Sequence, residues 1–216
     1  MGSLPWPFLS LITDEELPSA RMLEIVEAAC AAGCPVVQLR NRRVSTRTFH
    51  ELALALRRIT RAQHSWLIVN DRIDVAVSVD ADGAHLPESG MSVEHARAVL
   101  GTRKLLGRSV HAPATAAALA DVALDYLQFG PVYDTVSKRD FGPPQGLAAL
   151  ASAVAAARTV PVLAVGGIDP RRTGDVCGCG AGGIAVIGSV MGSTDPAAAT
   201  ARLLAALRAA GKTEPR

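Results

Sequence analysis

Residues Pro161–Val190 read PVLAVGGIDPRRTGDVCGCGAGGIAVIGSV. An apolar run, Pro161–Gly166, stops at a Gly-Gly-Ile-Asp-Pro turn. A helical stretch follows over Pro170–Cys177, then a glycine-rich return and a second apolar run, Gly183–Ile187. Short continuous apolar runs bounded by turn residues suit strands buried on both faces, and strands that alternate with helices suit a parallel sheet. Pro170 sits early in its helix, where its missing N–H costs nothing. The stretch therefore reads as strand, crossover helix, strand.

The same unit repeats back to the N-terminus. The strand candidates are Pro7–Thr13, Val36–Arg40, Trp66–Asn70, Ala84–Leu86, Lys104–Val110 and Tyr126–Val132, before the two already quoted. The helix candidates are Ser19–Ala32, Thr46–Gln63, Arg72–Val79, Ser92–Leu100, Ala114–Ala120, Gln145–Arg158 and Pro196–Ala209, besides Pro170–Cys177. Ser19, Ser45, Ser92 and Asp195 read as N-caps, and Gly33, Gly101 and Gly211 fall where an αL C-cap is wanted. Eight strands, each followed by a helix, in 216 residues make a (β/α)8 TIM barrel of the α/β class. One domain is expected over residues 1–216, with the barrel at 7–210 and a loose tail at 211–216. A doubly wound sheet is the runner-up, weakened because no glycine fingerprint follows the first strand. The glycine cluster Gly178–Gly183 precedes a strand, so it is a turn and does not imply a dinucleotide.

Composition narrows the function. The chain is 49% hydrophobic and 19% charged, enough to bury one large core. Its formal charge is only +2 and the basic residues are scattered, which argues against a nucleic-acid partner. No run approaches the roughly 18 apolar residues of a membrane helix, and the first residues lack a basic leader. A soluble cytoplasmic protein is expected. Cys30, Cys34, Cys177 and Cys179 are spaced unlike a zinc site, so they read as plain thiols.

In such barrels the chemistry sits at the C-terminal ends of the strands. There the second strand offers Gln38 and Arg40, the third Asn70 and Asp71, and the fifth Ser109 and His111. Each has a plainer reading: Arg40 paired with a buried acid, Asn70-Asp71 capping a helix, His111 as a core imidazole. Their coincidence at one mouth favours a site. Gly166 and Gly167 after the seventh strand, with Gly188 and Ser189 after the eighth, suit a phosphate held by backbone N–H groups. The polar run Asp134–Asp140 suits a lid over an anion.

These residues carry a resemblance. Val37-Gln38-Leu39-Arg40, Val69-Asn70-Asp71-Arg72-Ile73-Asp74, Ala81-Asp82-Gly83-Ala84-His85-Leu86, Phe129-Gly130-Pro131-Val132-Tyr133 and Val165-Gly166-Gly167-Ile168 resemble the thiamin phosphate synthase superfamily, in its order and over nearly the whole chain. The synthase branch joins a pyrimidine pyrophosphate to a thiazole phosphate on a Mg²⁺ held by two aspartates. Asp71 matches one, but Gly90 stands where the second belongs, and Arg42 replaces a lysine. Thr135, Ser137 and Lys138 do match that branch's pyrophosphate loop. His85-Leu86-Pro87 with its Ser/Gly segment, Gly107-Arg108-Ser109-Val110-His111 and Arg40-Asn41-Arg42 are similar to the other branch, the TenI-type thiazole tautomerases.

The missing aspartate makes the tautomerase the leading expectation: an isomerase that aromatises a phosphorylated thiazole carboxylate by a proton shift, with no metal or cofactor. The resemblance then gives His111 as the proton carrier. Gly166, Gly167, Gly188 and Ser189 would hold the phosphate, and Gln38, Arg40, Arg42, Asn70, Ser109, Thr135 and Lys138 the rest of the substrate. The alternatives are the Mg²⁺-dependent synthase and a non-catalytic thiazole-phosphate binder. A homodimer is the assembly that analogy offers.

Overall fold

The computed structural model describes residues 8–135 and 143–211. Eight strands, β1 (Phe8–Ile12), β2 (Val36–Leu39), β3 (Trp66–Asn70), β4 (Gly83–Leu86), β5 (Leu105–Val110), β6 (Tyr126–Phe129), β7 (Val162–Val165) and β8 (Gly183–Val186), close into one parallel barrel in chain order. The seam is β1 against β8, with Phe8 opposite Gly183 and Leu11 opposite Val186. Outside lie α1 (Ser19–Ala31), α2 (Thr46–Ala62), α3 (Ile73–Ser78), α4 (Val93–Leu100), α5 (Pro113–Ala118), α6 (Gly146–Ala156), α7 (Pro170–Gly178), α8 (Gly188–Met191) and α9 (Pro196–Ala209).

The expected strands and helices all appear, with ends displaced by a few residues. Ser45, Ser92 and Asp195 cap α2, α4 and α9 through side-chain oxygens, as their sequence positions predict. Ser19 does not: Pro18 is the N-cap of α1 and Ser19 is the first helical residue. The extended backbone that Pro18 favours sets the helix start there, one residue early. The single turn α8 is additional, since four residues carry too little periodicity to be read. Gly33, Gly101 and Gly211 all adopt positive φ just past their helices, but Gly101, with φ 79° and ψ −177°, is not in the αL conformation expected of it. Among the described residues, no helix is long and apolar enough to cross a membrane.

Strand alternation sorts the side chains onto two faces. Leu9, Leu11, Val37, Leu39, Leu67, Val69, Ala84, Leu86, Leu106 and Leu127 point outward and join one buried cluster with the helices. The inward side chains change character along the barrel axis. At the N-terminal end Phe8, Val36, Ile68, Tyr126 and Leu163 form an apolar plug. Above it lie buried polar groups: Ser10, Gln38, His85 and Gln128. Gly107 makes room for this packing, because a Cβ there would lie 2.1 Å from Cζ of Tyr126. The barrel is closed below and largely polar above, apart from the apolar Ile12, Val165 and Ala185 of β1, β7 and β8. This confines ligand chemistry to its C-terminal mouth.

An ion pair locks the lower rim. Nη1 and Nη2 of Arg57 on α2 donate to Asp82 at 2.6 and 3.2 Å, and Asp82 also accepts the Leu67 N–H at 2.7 Å. Both side chains are more than nine-tenths buried. Asp82 thus ties α2, β3 and the start of β4 together.

Candidate active site

A cavity of about 670 Å³ opens at the C-terminal ends of β2 to β5. Its walls carry Arg40, Arg42, Arg72, Asn70, Ser109 and His111, with the carboxylates of Asp71 and Glu88 between them. Across the mouth, at β7 and β8, a smaller cavity of about 70 Å³ is lined by Thr135, Gly166, Gly167, Gly188 and Ser189. The barrel order puts β3 and β7 on opposite sides, so two polar regions face each other over one mouth.

The first region is built on a buried hydrogen-bonded chain. Gln128 donates to Oε1 of Gln38 at 2.7 Å, and Gln38 donates to Oδ1 of Asn70 at 3.2 Å. With its oxygen so engaged, Asn70 has its amide N–H groups to offer the cavity. Gln38 itself lies one layer below the lining and supports Asn70. A parallel link runs through His85, whose two ring nitrogens meet Tyr126 Oη at 3.2 Å and Ser109 Oγ at 2.9 Å.

His111 is held by two contacts. Its backbone N–H donates to Glu88 at 3.0 Å and its ring Nδ1 meets the Gly130 carbonyl at 2.5 Å. A carbonyl only accepts, so Nδ1 carries hydrogen and Nε2 is the basic nitrogen of the neutral ring. The segment that carries Glu88 and Ser89 is fastened by Arg108. Its guanidinium donates to the carbonyls of Glu88, Gly90 and Met91 at 2.6, 3.4 and 2.9 Å. Arg40 does pair with an acid, the plainer reading of that residue, yet it also lines the cavity. Its partner is Glu15.

The glycine region is shaped by its backbone. Gly166 has φ +101° and Gly167 +63°. The Val165 and Gly166 carbonyls accept from the N–H groups of Val132 and Tyr133 at 2.8 and 3.1 Å. Arg172, stacked over the Tyr133 ring at 4.5 Å, donates to the Gly167 carbonyl, and Ser189 Oγ donates to the Ile168 carbonyl. A Cβ on Gly166 would come within 2.6 Å of Pro131 Cα, whereas one on Gly188 meets nothing within 4 Å. Gly166→Ala is therefore expected to lose about 1–3 kcal/mol of stability in denaturant unfolding. Gly188→Ala should stay within about 0.5 kcal/mol of the wild type.

The sequence profile of the family described as thiamine monophosphate synthase matches residues 9–190. The chain belongs to the thiamine monophosphate synthase family. Thiamine-phosphate synthase of Chloroflexus aurantiacus is 41% identical over 198 residues, 91% of this chain and 91% of that one. That of Moorella thermoacetica is 38% identical over 208 residues, 96% and 99% of the two chains. The solved thiamine phosphate pyrophosphorylase of Pyrococcus furiosus superposes with TM-score 0.85 at 33% identity, covering 95% of this chain and 97% of its own.

The expected superfamily and barrel both hold. The finer expectation, the tautomerase branch, finds no support in these relatives, whose names are those of the synthase. The family's thiamin phosphate synthases thus weigh toward the alternative reading, which the loss of an aspartate at Gly90 had demoted. Sequence reasoning also missed Glu88. It stands two positions before Gly90 and shares the cavity lining with Asp71, so the mouth does carry two carboxylates. Of the proposed ligand residues, Arg40, Arg42, Asn70, Ser109 and His111 line the larger cavity, and Gly166, Gly167, Gly188, Ser189 and Thr135 the smaller. Lys138 lies outside the described residues.

Proposed function

We propose that the chain is a transferase that couples a pyrimidine-methyl diphosphate to a thiazole phosphate, giving thiamin phosphate and inorganic pyrophosphate. One observation carries this reading: two separate cavities face each other across one mouth, and the larger has room and cationic groups for a diphosphate. Planar guanidiniums bind phosphate oxygens in pairs, and Arg40, Arg42 and Arg72 all border the cavity. The glycine region suits a monophosphate, held by backbone N–H groups that Gly166 and Gly167 let approach closely.

In this reading the thiazole ring nitrogen attacks the exocyclic methylene carbon, and a C–N bond forms. The C–O bond to the diphosphate breaks, and the leaving group departs with the electron pair. No proton is exchanged. The residues have two tasks: to hold the nitrogen and carbon in line, and to stabilise charge on the departing diphosphate. Arg40 and Arg42 serve the second, whereas the Arg72 guanidinium is already engaged by Asp74 and Thr46. Asn70, held by Gln38 and Gln128, and Ser109, held by His85, serve the first by fixing the pyrimidine.

The donor chemistry also fits a hard divalent cation, which is ordinarily held by one or two carboxylates while waters and substrate phosphates complete its shell. Asp71 and Glu88 are the residues that would hold Mg²⁺, which when bound would neutralise part of the diphosphate charge.

A second reading, the metal-free thiazole tautomerase, rests on Gly90 and on the basic Nε2 of His111. There His111 would take the ring C2 proton and return a proton to the exocyclic carbon. Incubation with both phosphorylated substrates and Mg²⁺ separates the two. The coupling reading expects thiamin phosphate and pyrophosphate in equal amounts, and none with EDTA. No coupling, with rapid aromatisation of the alkene thiazole carboxylate phosphate in EDTA, would replace it with the tautomerase. Binding with neither reaction would leave a non-catalytic binder. Gly188→Ala should keep its fold yet bind thiazole phosphate less tightly, since its methyl enters space beside the proposed phosphate. Unaltered binding would remove the phosphate from that cavity.

A further inference from the structure

The loop after β1 grips the loop after β2 at three successive points. Thr13 Oγ1 accepts the Arg40 N–H at 2.8 Å and donates to the Arg40 carbonyl at 2.9 Å. Glu16 pairs with Arg43 at the exposed rim, where such a pair contributes little. Between them Glu15 makes four hydrogen bonds. Oε2 accepts the Arg42 N–H at 2.7 Å. Oε1 accepts from Nη1 of Arg40 at 3.3 Å, and from Nε and Nη2 of Arg42 at 3.3 and 3.1 Å.

Glu15 is not part of the cavity wall, while both arginines are. Its side chain is only 8% exposed, and that of Arg40 is 15% exposed. A guanidinium so enclosed needs a counter-charge, and a flexible arginine that is not held must be ordered by its ligand at an entropic cost. Burial pushes the Glu15 carboxyl up, but the Arg42 N–H and the two guanidiniums outweigh it and hold it below the ordinary value. The anchor is therefore ionised at neutral pH.

We propose that Glu15 is a positioning residue for the diphosphate: it stands behind Arg40 and Arg42 and presets both guanidiniums toward the cavity, without touching the ligand. Glu15 engages Nη1 of Arg40 and leaves that guanidinium's Nε and Nη2 for other acceptors. A mere competitor for the arginines would act in the opposite sense, because its removal would release positive charge to the anion.

The inference rests on the coupling reading, and inorganic pyrophosphate titrated calorimetrically into the full chain with Mg²⁺ tests the two apart. If the wild type does not bind it, the coupling reading fails. If the wild type binds, Glu15→Asp is the decisive variant. It keeps the charge but shortens the reach, and affinity is expected to fall about tenfold as preorganisation is lost. Glu15→Gln, nearly the same shape, keeps an acceptor for the Arg42 N–H and should lose less than Glu15→Ala. In turnover, Glu15→Asp should raise KM for the diphosphate substrate and lower kcat, since both arginines also face the departing charge, while thiazole phosphate affinity stays near wild type. Unchanged or tighter pyrophosphate binding by Glu15→Asp and Glu15→Gln would overturn the inference. So would an equal loss at both ligands, which would mark Glu15 as a general support of the fold.

Discussion

Asp71→Asn is expected to lower Mg²⁺-dependent coupling by about 10²-fold or more, the scale on which removal of one preorganised charged group acts at a reacting centre. His111→Ala should lower it far less. The asymmetry follows from the chemistry. Displacement of a diphosphate by a ring nitrogen moves no proton, so the imidazole has no obligatory transfer to perform. Asp71 lines the cavity among three arginines, where in the coupling reading its carboxylate would be a ligand for the cation that accompanies a diphosphate. A tautomerase reverses the order: His111→Ala would be the severe variant and Asp71→Asn the mild one. Steady-state turnover of the two variants, with Mg²⁺ and with EDTA, reads the difference. Severe loss of coupling in His111→Ala with near-normal Asp71→Asn would refute the assignment of roles.

Asp82→Ala is expected to cost about 3–5 kcal/mol of folding stability, because it strands a buried guanidinium. Arg57 would lose the carboxylate that its two Nη atoms bond, with Asp80 left as a charge to which it makes no hydrogen bond, and the Leu67 N–H would lose its acceptor. At about 2–4 °C per kcal/mol for a chain of this size, the thermal midpoint should fall by roughly 10 °C. Lower-rim placement separates this effect from catalysis, since Asp82 lies at the end of the barrel remote from the cavity. At a temperature where the variant is folded, its turnover should match the wild type. A midpoint within about 2 °C of wild type would show that the pair contributes little net stability.

The fold was legible because its signals are local and repeated. The run Val162–Val165, the cap Asp169 and the return to Gly183 give one strand–helix–strand unit, and the other strands echo it. The site was legible where strand alternation applies: Arg40, Asn70, Ser109 and His111 face inward at strand ends because their neighbours Leu39, Val69 and Val110 face outward. Three features were hidden. The roles of Gln38 and Gln128 depend on a contact between residues 90 apart, which no local pattern encodes. Glu88 sits in a loop whose course is set by Arg108 on the neighbouring strand. Glu15 follows a strand end in an acidic run, Asp14-Glu15-Glu16, and no local pattern marks the middle residue as the one that bonds both Arg40 and Arg42. The departure from the synthase motif at Gly90 outweighed these in the sequence, whereas the relatives' names favour the other branch.

In the coupling reading, two phosphorylated ligands occupy one barrel mouth together. Calorimetric titration of thiazole phosphate into protein already saturated with pyrophosphate and Mg²⁺ tests it most directly. The two cavities predict a ternary complex, in which thiazole phosphate binds at one equivalent with an affinity equal to or greater than that for the unloaded protein. Competitive displacement, with the heat abolished by prior saturation, would mean a single anion site and would rule out coupling across the two cavities.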